Sequence, residues 1–209
     1  MKLRIALTAF VFAAGLWFAA AAGCGGDEPS SGETKPEAPK VTEAKRNEPD
    51  RPDAKRIAGD EALGIKFSPD KKTLVSYNRE LPQKGYAIPN GVTAIGAKAF
   101  EQCSNLTSVT IPTSVRKIGE GAFMGCSNLT SVTLPPGITA IEQGVFLSCK
   151  NLKSVDIPSG VKSIGKLAFA GCEKLTGATL PMSVKKIGDW AFEGCPCEAE
   201  VRKHYPDYR

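Results

Sequence analysis

Apolar residues between about residues 86 and 201 recur in a fixed order, with a spacing of 23 residues. Each repeat has an apolar residue followed by proline, then a β-branched residue, an isoleucine, a phenylalanine and a cysteine, and the first four repeats end with a leucine. The columns are Ile88, Ile111, Leu134, Ile157 and Leu180; Val92, Val115, Ile138, Val161 and Val184; Ile95, Ile118, Ile141, Ile164 and Ile187; Phe100, Phe123, Phe146, Phe169 and Phe192; Cys103, Cys126, Cys149, Cys172 and Cys195; and Leu106, Leu129, Leu152 and Leu175. A fixed period of this length predicts a solenoid in which each repeat forms one rung.

The start of each repeat has the pattern of a β-strand with one buried face. In the second repeat the apolar residues Val109 and Ile111 alternate with the polar residues Ser108 and Thr110. Pro112 then ends the strand, because proline lacks the N–H that would continue the ladder. One rung cannot bury its own apolar columns, so we expect stacked rungs, about 4.8 Å apart where their strands pair. The strands then form a parallel sheet along one side of the solenoid.

The second half of each repeat returns the chain to the next strand. In the second repeat the chain crosses over while burying Val115 and Ile118, and we expect a short helical turn around Ala122 and Phe123. The sequence therefore predicts an α/β solenoid of about five 23-residue rungs. A parallel sheet lies on one face and short helical turns lie opposite.

The repeat closely resembles the BspA-like leucine-rich repeat of bacterial and some protist surface proteins. The shared motif is L-x-x-V-x-I-P-x-x-V-x-x-I-G-x-x-A-F-x-x-C, and the resemblance covers roughly residues 73 to 201. It implies a leucine-rich-repeat solenoid. Glu142 replaces the glycine of the other rungs, so we expect it to strain or reshape one turn. Glu198 replaces the column leucine, as expected where the stack terminates.

Caps are expected at both ends, because the terminal rungs would otherwise expose the core. Residues Phe67–Asp70 and Thr73–Val75 predict a hairpin that lies on the first rung, and Tyr86 begins the sheet. Val201 is predicted to be the last apolar strand residue. We therefore expect an N-terminal cap over residues 57–85 and the repeat domain, with its C-terminal cap, over residues 86–209.

The N-terminus has the layout of an export signal. Lys2 and Arg4 precede an apolar run from Ile5 to Ala22. That run is also long enough for a transmembrane helix, so length does not decide between the two. The local sequence favours the export signal, because Ala21-Ala22-Gly23-Cys24 resembles a bacterial lipobox. We expect a lipoprotein signal peptide over residues 1–23 and a membrane anchor through a lipid on Cys24, with plain secretion as the alternative.

The segment from residue 24 to 56 is predicted to be a disordered tether. It consists largely of Gly, Pro, Ser, Glu, Lys and Asp, and Val41 is its lone large apolar residue. Such a composition cannot bury enough surface to offset the entropy lost on ordering. A binding role for the tether itself is an alternative reading.

Charge and residue content argue against several classes of function. The formal net charge is +5, and Lys2 and Arg4 contribute two of these charges. The remainder is nearly balanced, so no nucleic-acid partner is expected. His204 is the single histidine, which removes most metal sites and most His-dependent catalysis. We expect no enzymatic activity, no cofactor and no small-molecule substrate.

The cysteine column predicts a buried ladder of thiols that act as small hydrophobic residues. Catalytic or metal sites need clustered side chains and a partner base, and a linear column supplies neither. Disulfide pairing stays open, because the rung spacing lies within disulfide reach and export favours oxidation. Cys195 and Cys197 are the favoured pair.

The outward residues of the sheet are the candidate binding face, as the resemblance implies. They are Ser108, Thr110, Ser131, Thr133, Ser154, Asp156, Thr179 and Arg202, with Gly177 and Glu200 at the C-terminal end. These side chains are small and polar, and threonine also suits strands for structural reasons. Only Arg202 is of the type that dominates interface energies. We therefore expect weak or multivalent contacts.

A basic strip just after the strands is a second candidate surface. It comprises Arg116, Lys117, Lys162, Lys185 and Lys186. The strip is either a solvated edge or a weak docking patch for acidic glycans and other polyanions of the envelope.

The sequence thus predicts a lipid-anchored protein of the bacterial cell envelope, at the outer membrane or the cell surface. It would present a leucine-rich-repeat surface to an unidentified protein or glycan. The alternative is a structural component of the envelope without an external ligand.

Overall fold

The computed structural model describes residues 53–206 and 208. The predicted signal peptide over residues 1–23, Cys24 and almost all of the predicted tether lie outside the described residues.

The described part of the chain contains two short helices and twelve short strands. They are α1 (Ala54–Ala62), β1 (Lys66–Phe67), β2 (Thr73–Ser76), β3 (Gly85–Ala87), β4 (Ala94–Ile95), β5 (Ser108–Thr110), β6 (Lys117–Ile118), β7 (Ser131–Thr133), β8 (Ala140–Ile141), β9 (Ser154–Asp156), β10 (Ser163–Ile164), β11 (Gly177–Thr179), β12 (Lys186–Ile187) and α2 (Glu198–His204).

The main sheet is a parallel ladder with one strand from each rung, in the order β11-β9-β7-β5-β3. Its register aligns the repeats without a shift, so that Val109, Val132 and Val155 are neighbours. These central side chains are buried, whereas the residues on either side of them are exposed. The predicted parallel sheet on one face of a leucine-rich-repeat solenoid is confirmed.

A second, narrower ladder runs through the segment that the sequence predicted only as a crossover. Its strands, all of two residues except the four-residue β2, pair in the orders β1-β2-β4-β6 and β12-β10-β8. The parallel pairs place Ile95 beside Ile118, and Ile164 beside both Ile141 and Ile187. The isoleucine column therefore lines a second wall of the core.

The predicted helical turns are single tight turns rather than helices. Ala122 N–H donates to Gly119 O (3.2 Å) and Met124 N–H donates to Gly121 O (2.9 Å), which closes the turn within the rung. The intervening Phe123 N–H donates instead to Val145 O of the next rung (2.9 Å). Because alternate amides bond across rungs, the turn region cannot continue as a helix.

A stack of phenylalanine rings forms the centre of the solenoid. The rings of neighbouring rungs lie 5.0–5.4 Å apart, within 4–14° of parallel, and all five are fully buried. Tyr77 stacks on Phe100 at the N-terminal end, at 5.2 Å. Tyr208 meets Phe192 edge-on at the other end, at 6.2 Å. Each rung therefore contributes the same ring to one continuous core.

The N-terminal end is closed by α1, which begins earlier than the tether prediction allowed. Asp53 caps the helix by accepting from Arg56 N–H (3.2 Å), so residues 54–56 belong to the helix and not to the tether. The buried Asp60 carboxylate accepts from Tyr86 Oη–H (2.7 Å), and Arg56 donates to Ala87 O (3.1 Å). The sequence did not predict this helix, because most of its residues are polar and exposed.

The hairpin predicted at the N-terminal end is present. β1 and β2 pair antiparallel, with Phe67 opposite Leu74. β2 then pairs parallel with β4, so the hairpin extends the narrower ladder rather than the main sheet.

At the C-terminal end, the predicted strand through Val201 is wrong. Glu198–His204 form α2, and Val201 is buried from this helix. Tyr208 Oη accepts from Phe192 N–H (2.7 Å) and Glu198 Oε2 accepts from Gly194 N–H (3.2 Å). In the interior rungs, carbonyls of the following rung accept from the equivalent amides. The cap thus supplies acceptors that a further rung would have provided.

The narrower ladder is interrupted between β6 and β8, at Glu142. In the same column, a Cβ added to Gly119 would lie 2.5 Å from Ala97 N, and one added to Gly165 would lie 2.6 Å from Gln143 N. Glu142 carries that Cβ, so its rung cannot approach the preceding one as closely. The ladder therefore breaks at the rung in which the sequence predicted a reshaped turn.

Within residues 53–206 and 208, no helix combines the length and the apolar character needed to cross a bilayer.

Candidate binding surfaces

The main sheet presents two rows of exposed side chains, aligned by the register of the strands. One row runs Ser108, Ser131, Ser154 and Gly177, and the other runs Thr110, Thr133, Asp156 and Thr179. All of these residues are exposed, as the sequence predicted. The structure therefore brings together seven of the eight predicted face residues on one surface.

Arg202 is the predicted face residue that lies elsewhere. It is on α2, where it donates to Glu198 Oε1 (2.8 Å) and Tyr208 O (3.1 Å) and lies 5.0 Å from the centre of the Tyr208 ring. The predicted placement on a strand is wrong because the last segment folds into a cap. Arg202 holds that cap together, so the polar side chains of the exposed sheet face are hydroxyl groups and one carboxylate.

The basic strip is exposed but divided. Arg116 and Lys117 adjoin the ladder that ends at β6, and the gap at Glu142 separates them from the lysines beside β10 and β12. Lys162 and Lys185 are neighbours, since Lys185 N–H donates to Lys162 O (2.8 Å). The positive charge is thus concentrated near the C-terminal end, on Lys162, Lys185 and Lys186.

The C-terminal end also contains a groove that the sequence reading missed, between β11 and α2. It has a volume of about 680 Å³. One wall includes Ala178, Leu180 and Val184, and the helix contributes Val201 and Tyr205. This volume lies within the usual range for ligand pockets, about 300–1,000 Å³.

Met182, at the rim of this groove, is the one residue in the sequence that could have indicated it. Its side chain is 93% exposed. The equivalent positions of the preceding rungs carry Thr113, Pro136 and Ser159. An exposed methionine in place of turn residues marks the last complete rung as different from the others.

The cysteine column is a ladder of buried, free thiols, as one of the two readings predicted. Cys149 Sγ donates to Phe123 O (3.1 Å), and Cys172 Sγ donates to Phe146 O (3.1 Å). Burial raises the pKa of Cys149 to about 12, and hydrogen bonding with Cys172 raises the pKa of Cys195 to about 12. Thiols of this kind stay protonated at neutral pH and are poor nucleophiles.

The alternative prediction was a disulfide between Cys195 and Cys197. The structure does not contain it, because all six described cysteines are free thiols. Within the described ranges, no three His, Cys, Asp or Glu side chains are placed to hold a metal ion.

The fold and these surfaces define a solenoid scaffold with an open sheet face. A sequence model of the BspA type leucine rich repeat region matches residues 77–198 in six copies. The chain therefore belongs to the BspA-type leucine-rich-repeat family. Leucine-rich-repeat solenoids are in general protein-binding scaffolds and are typically non-enzymatic.

Solved structures of bacterial leucine-rich-repeat proteins are similar to this chain. The T. pallidum leucine-rich-repeat protein is 32% identical with a TM-score of 0.56, over 62% of this chain and 63% of its own. A leucine-rich cell surface protein from Faecalibacterium prausnitzii is 38% identical with a TM-score of 0.58, over 63% and 35%. A leucine-rich-repeat protein from Bacteroides ovatus is 34% identical with a TM-score of 0.55, over 61% and 36%.

The matched region thus spans less than two thirds of each of these relatives. A comparison with curated protein sequences finds no significant match.

Proposed function

We propose that this protein is a lipid-anchored component of the bacterial cell envelope that presents its sheet face to protein or glycan partners. The observation that carries the proposal is the pair of exposed rows on the main sheet, from Ser108 to Thr179. These rows offer regularly spaced hydroxyl groups on a rigid parallel ladder. The cell-surface description of the Faecalibacterium prausnitzii relative supports the proposed location.

The face suits weak contacts that are repeated along its length. Aromatic and arginine side chains dominate most tight interfaces, and the described sheet rows contain neither. Display of many copies on one surface would compensate for the low affinity of each contact, since linked binding events benefit from a high effective concentration. We infer adhesion through many low-affinity contacts rather than one tight site.

The proposed anchor follows from Ala21-Ala22-Gly23-Cys24. Residues 1–23 would be the signal peptide, residues from 24 into the fifties a tether, and the rest the repeat domain with its caps. The test is metabolic labelling with a radioactive fatty acid. Wild-type protein should incorporate label and Cys24→Ser should not. Equal labelling of both would refute an anchor at this residue.

Surface display and binding by the face are tested on intact cells. Protease should release the repeat domain while a periplasmic marker survives, and the released domain should bind acceptor cells. Ser131→Glu combined with Thr133→Glu should abolish that binding, whereas Thr113→Glu, exposed outside the sheet, should not. A domain that is cleaved only after lysis would instead support a structural component of the envelope.

A further inference from the structure

The main sheet has one covered edge and one open edge. At β3, the N-terminal edge, Arg56 of α1 donates to Ala87 O (3.1 Å). At β11, the C-terminal edge, no further strand pairs with the outer side in the described part of the chain. The position of a next strand is instead occupied by the groove, with α2 as its far wall.

Repeat equivalence shows which backbone groups of β11 face the groove. Lys84 O accepts from Thr107 N–H (2.6 Å), and Ile88 N–H donates to Thr110 O (3.0 Å), both toward the following rung. Thr176 and Leu180 occupy the same two columns in the last rung. The carbonyl column repeats in the interior rungs, where Thr107 O accepts from Thr130 N–H (2.9 Å) and Thr130 O accepts from Lys153 N–H (3.2 Å), whereas among the described rungs the N–H column makes its bond only in the first. The carbonyl of Thr176 therefore points toward the open side, and such unpaired edges are templates for strand addition.

The side chains of β11 leave room for an added strand. Where the preceding strand has Ser154 and Val155, β11 has Gly177 and Ala178. A Cβ at Gly177 would meet only Ser154 Cβ, at an ordinary 3.9 Å, so packing does not require glycine there. The missing side chain enlarges the groove instead of relieving a clash.

The charge at the groove favours an acidic occupant. Lys185 lines the groove, with Lys162 and Lys186 close by, and none of the three forms an ion pair within the described residues. Glu200, on the opposite wall, is already paired with Lys203 (2.8 Å). The unpaired charge at this site is therefore positive.

We propose that the groove between β11 and α2 binds an acidic peptide in extended conformation, which adds to β11 as a further strand. Main-chain hydrogen bonding along β11, beginning at the carbonyl of Thr176, holds the peptide backbone. Its apolar side chains pack against Ala178 and Met182, and its carboxylates face Lys185. The proposal rests on the proposed binding function and gives it a second site with a defined partner class.

A head-to-tail second copy fits this groove less well. Its donated edge would be β3, which α1 covers through the contact between Arg56 and Ala87 O. A polyanionic glycan would match the charge but would leave the backbone groups of β11 unpaired.

The test uses the purified full chain and a fluorescent eight-residue peptide of alternating valine and glutamate, followed by anisotropy. A version with lysine in place of glutamate should not bind. A version N-methylated at alternate amides keeps the charge but cannot pair as a strand, so it should lose binding.

Two variants locate the site. Lys185→Glu and Met182→Asp should each weaken binding about fivefold or more, while Lys117→Glu, which makes the same charge change far from the groove, should have little effect. Met182 is almost fully exposed, so its replacement leaves the fold intact and keeps the test decisive.

Four results would overturn the proposal. They are failure of the peptide to bind, equal binding of the N-methylated peptide, binding of a heparin oligosaccharide in place of the peptide, and self-association through this edge in sedimentation experiments. If the peptide fails to bind while the Ser131 and Thr133 variants still abolish cell binding, the groove is refuted and the sheet-face function is retained.

Discussion

At the residue scale, phenylalanine and cysteine act together in every interior rung. The ring fills the centre, and the thiol of the next rung donates to the phenylalanine carbonyl, as Cys172 Sγ does to Phe146 O (3.1 Å). That carbonyl also accepts from Cys149 N–H within its own rung (3.1 Å). The cysteine column is therefore explained by a small buried donor that links rungs.

Phe146→Ala should lower the free energy of unfolding by about 3–5 kcal/mol, because it leaves a cavity that the stack cannot close. The ring is fully buried between neighbouring rings at 5.4 and 5.3 Å. Urea unfolding followed by circular dichroism measures the change. Asp156→Ala, exposed on the sheet face, is the control and should leave stability within about 0.5 kcal/mol. An unchanged midpoint for Phe146→Ala would contradict the assignment of this column to the core.

At the element scale, the interrupted ladder shows how a single side chain changes strand pairing. The backbone N–H groups of Thr139 and Glu142 have no acceptor among the described residues. Their counterparts in the next rung, Lys162 and Gly165, donate to Thr139 O (2.8 Å) and Ile141 O (2.7 Å). The Arg116 side chain lies against Gly137 in the resulting gap.

Hydrogen exchange should reveal this gap. The amides of Thr139 and Glu142 should exchange faster than those of Lys162 and Gly165, because only the latter pair is hydrogen-bonded. Glu142→Gly removes the obstructing Cβ, so it should slow exchange at Thr139 and at residue 142. Exchange that is equally slow at all four wild-type amides would show that the ladder is continuous in solution.

The elements divide clearly into those that the sequence predicts and those that it does not. The main sheet and core columns were predictable, because five repeats supply the same register independently. The helix α1 was not, because only Ile57 and Asp60 are buried in it. The α2 cap was missed because Val201 continues the apolar column as a strand would. The groove depends on that cap, so the sequence indicated it only through the unusual Met182.

At the scale of the whole molecule, the thiol ladder makes stability depend on pH. The pKa values of Cys149 and Cys195 are raised to about 12 in the folded protein, and those of Cys126 and Cys197 are also raised by hydrogen bonding and burial. Cys103, with a lowered pKa, acts in the opposite direction. A thiol whose pKa is raised by folding contributes its full stabilisation below its pKa in the unfolded chain, about 8.5. That contribution is lost as the pH rises toward the pKa of the folded state.

The free energy of unfolding should therefore fall between pH 9 and 11, by up to about 1.4 kcal/mol per pH unit for each thiol that stays protonated. Urea unfolding at pH 8 and pH 10, under reducing conditions, measures this loss. Cys149→Ala removes one such group and should make the dependence shallower. A stability that is flat across this range would contradict the buried, protonated ladder.

The ring stack has a further consequence for the length of the molecule. Phe123, Phe146 and Phe169 each meet a near-parallel ring on both faces at 5.0–5.4 Å, so the ring of each of these interior rungs has the same neighbours at the centre of the core. Duplication of one 23-residue unit would leave both caps unchanged and move them apart by one ring spacing. The length of such a solenoid can thus change in fixed increments, one interior unit at a time.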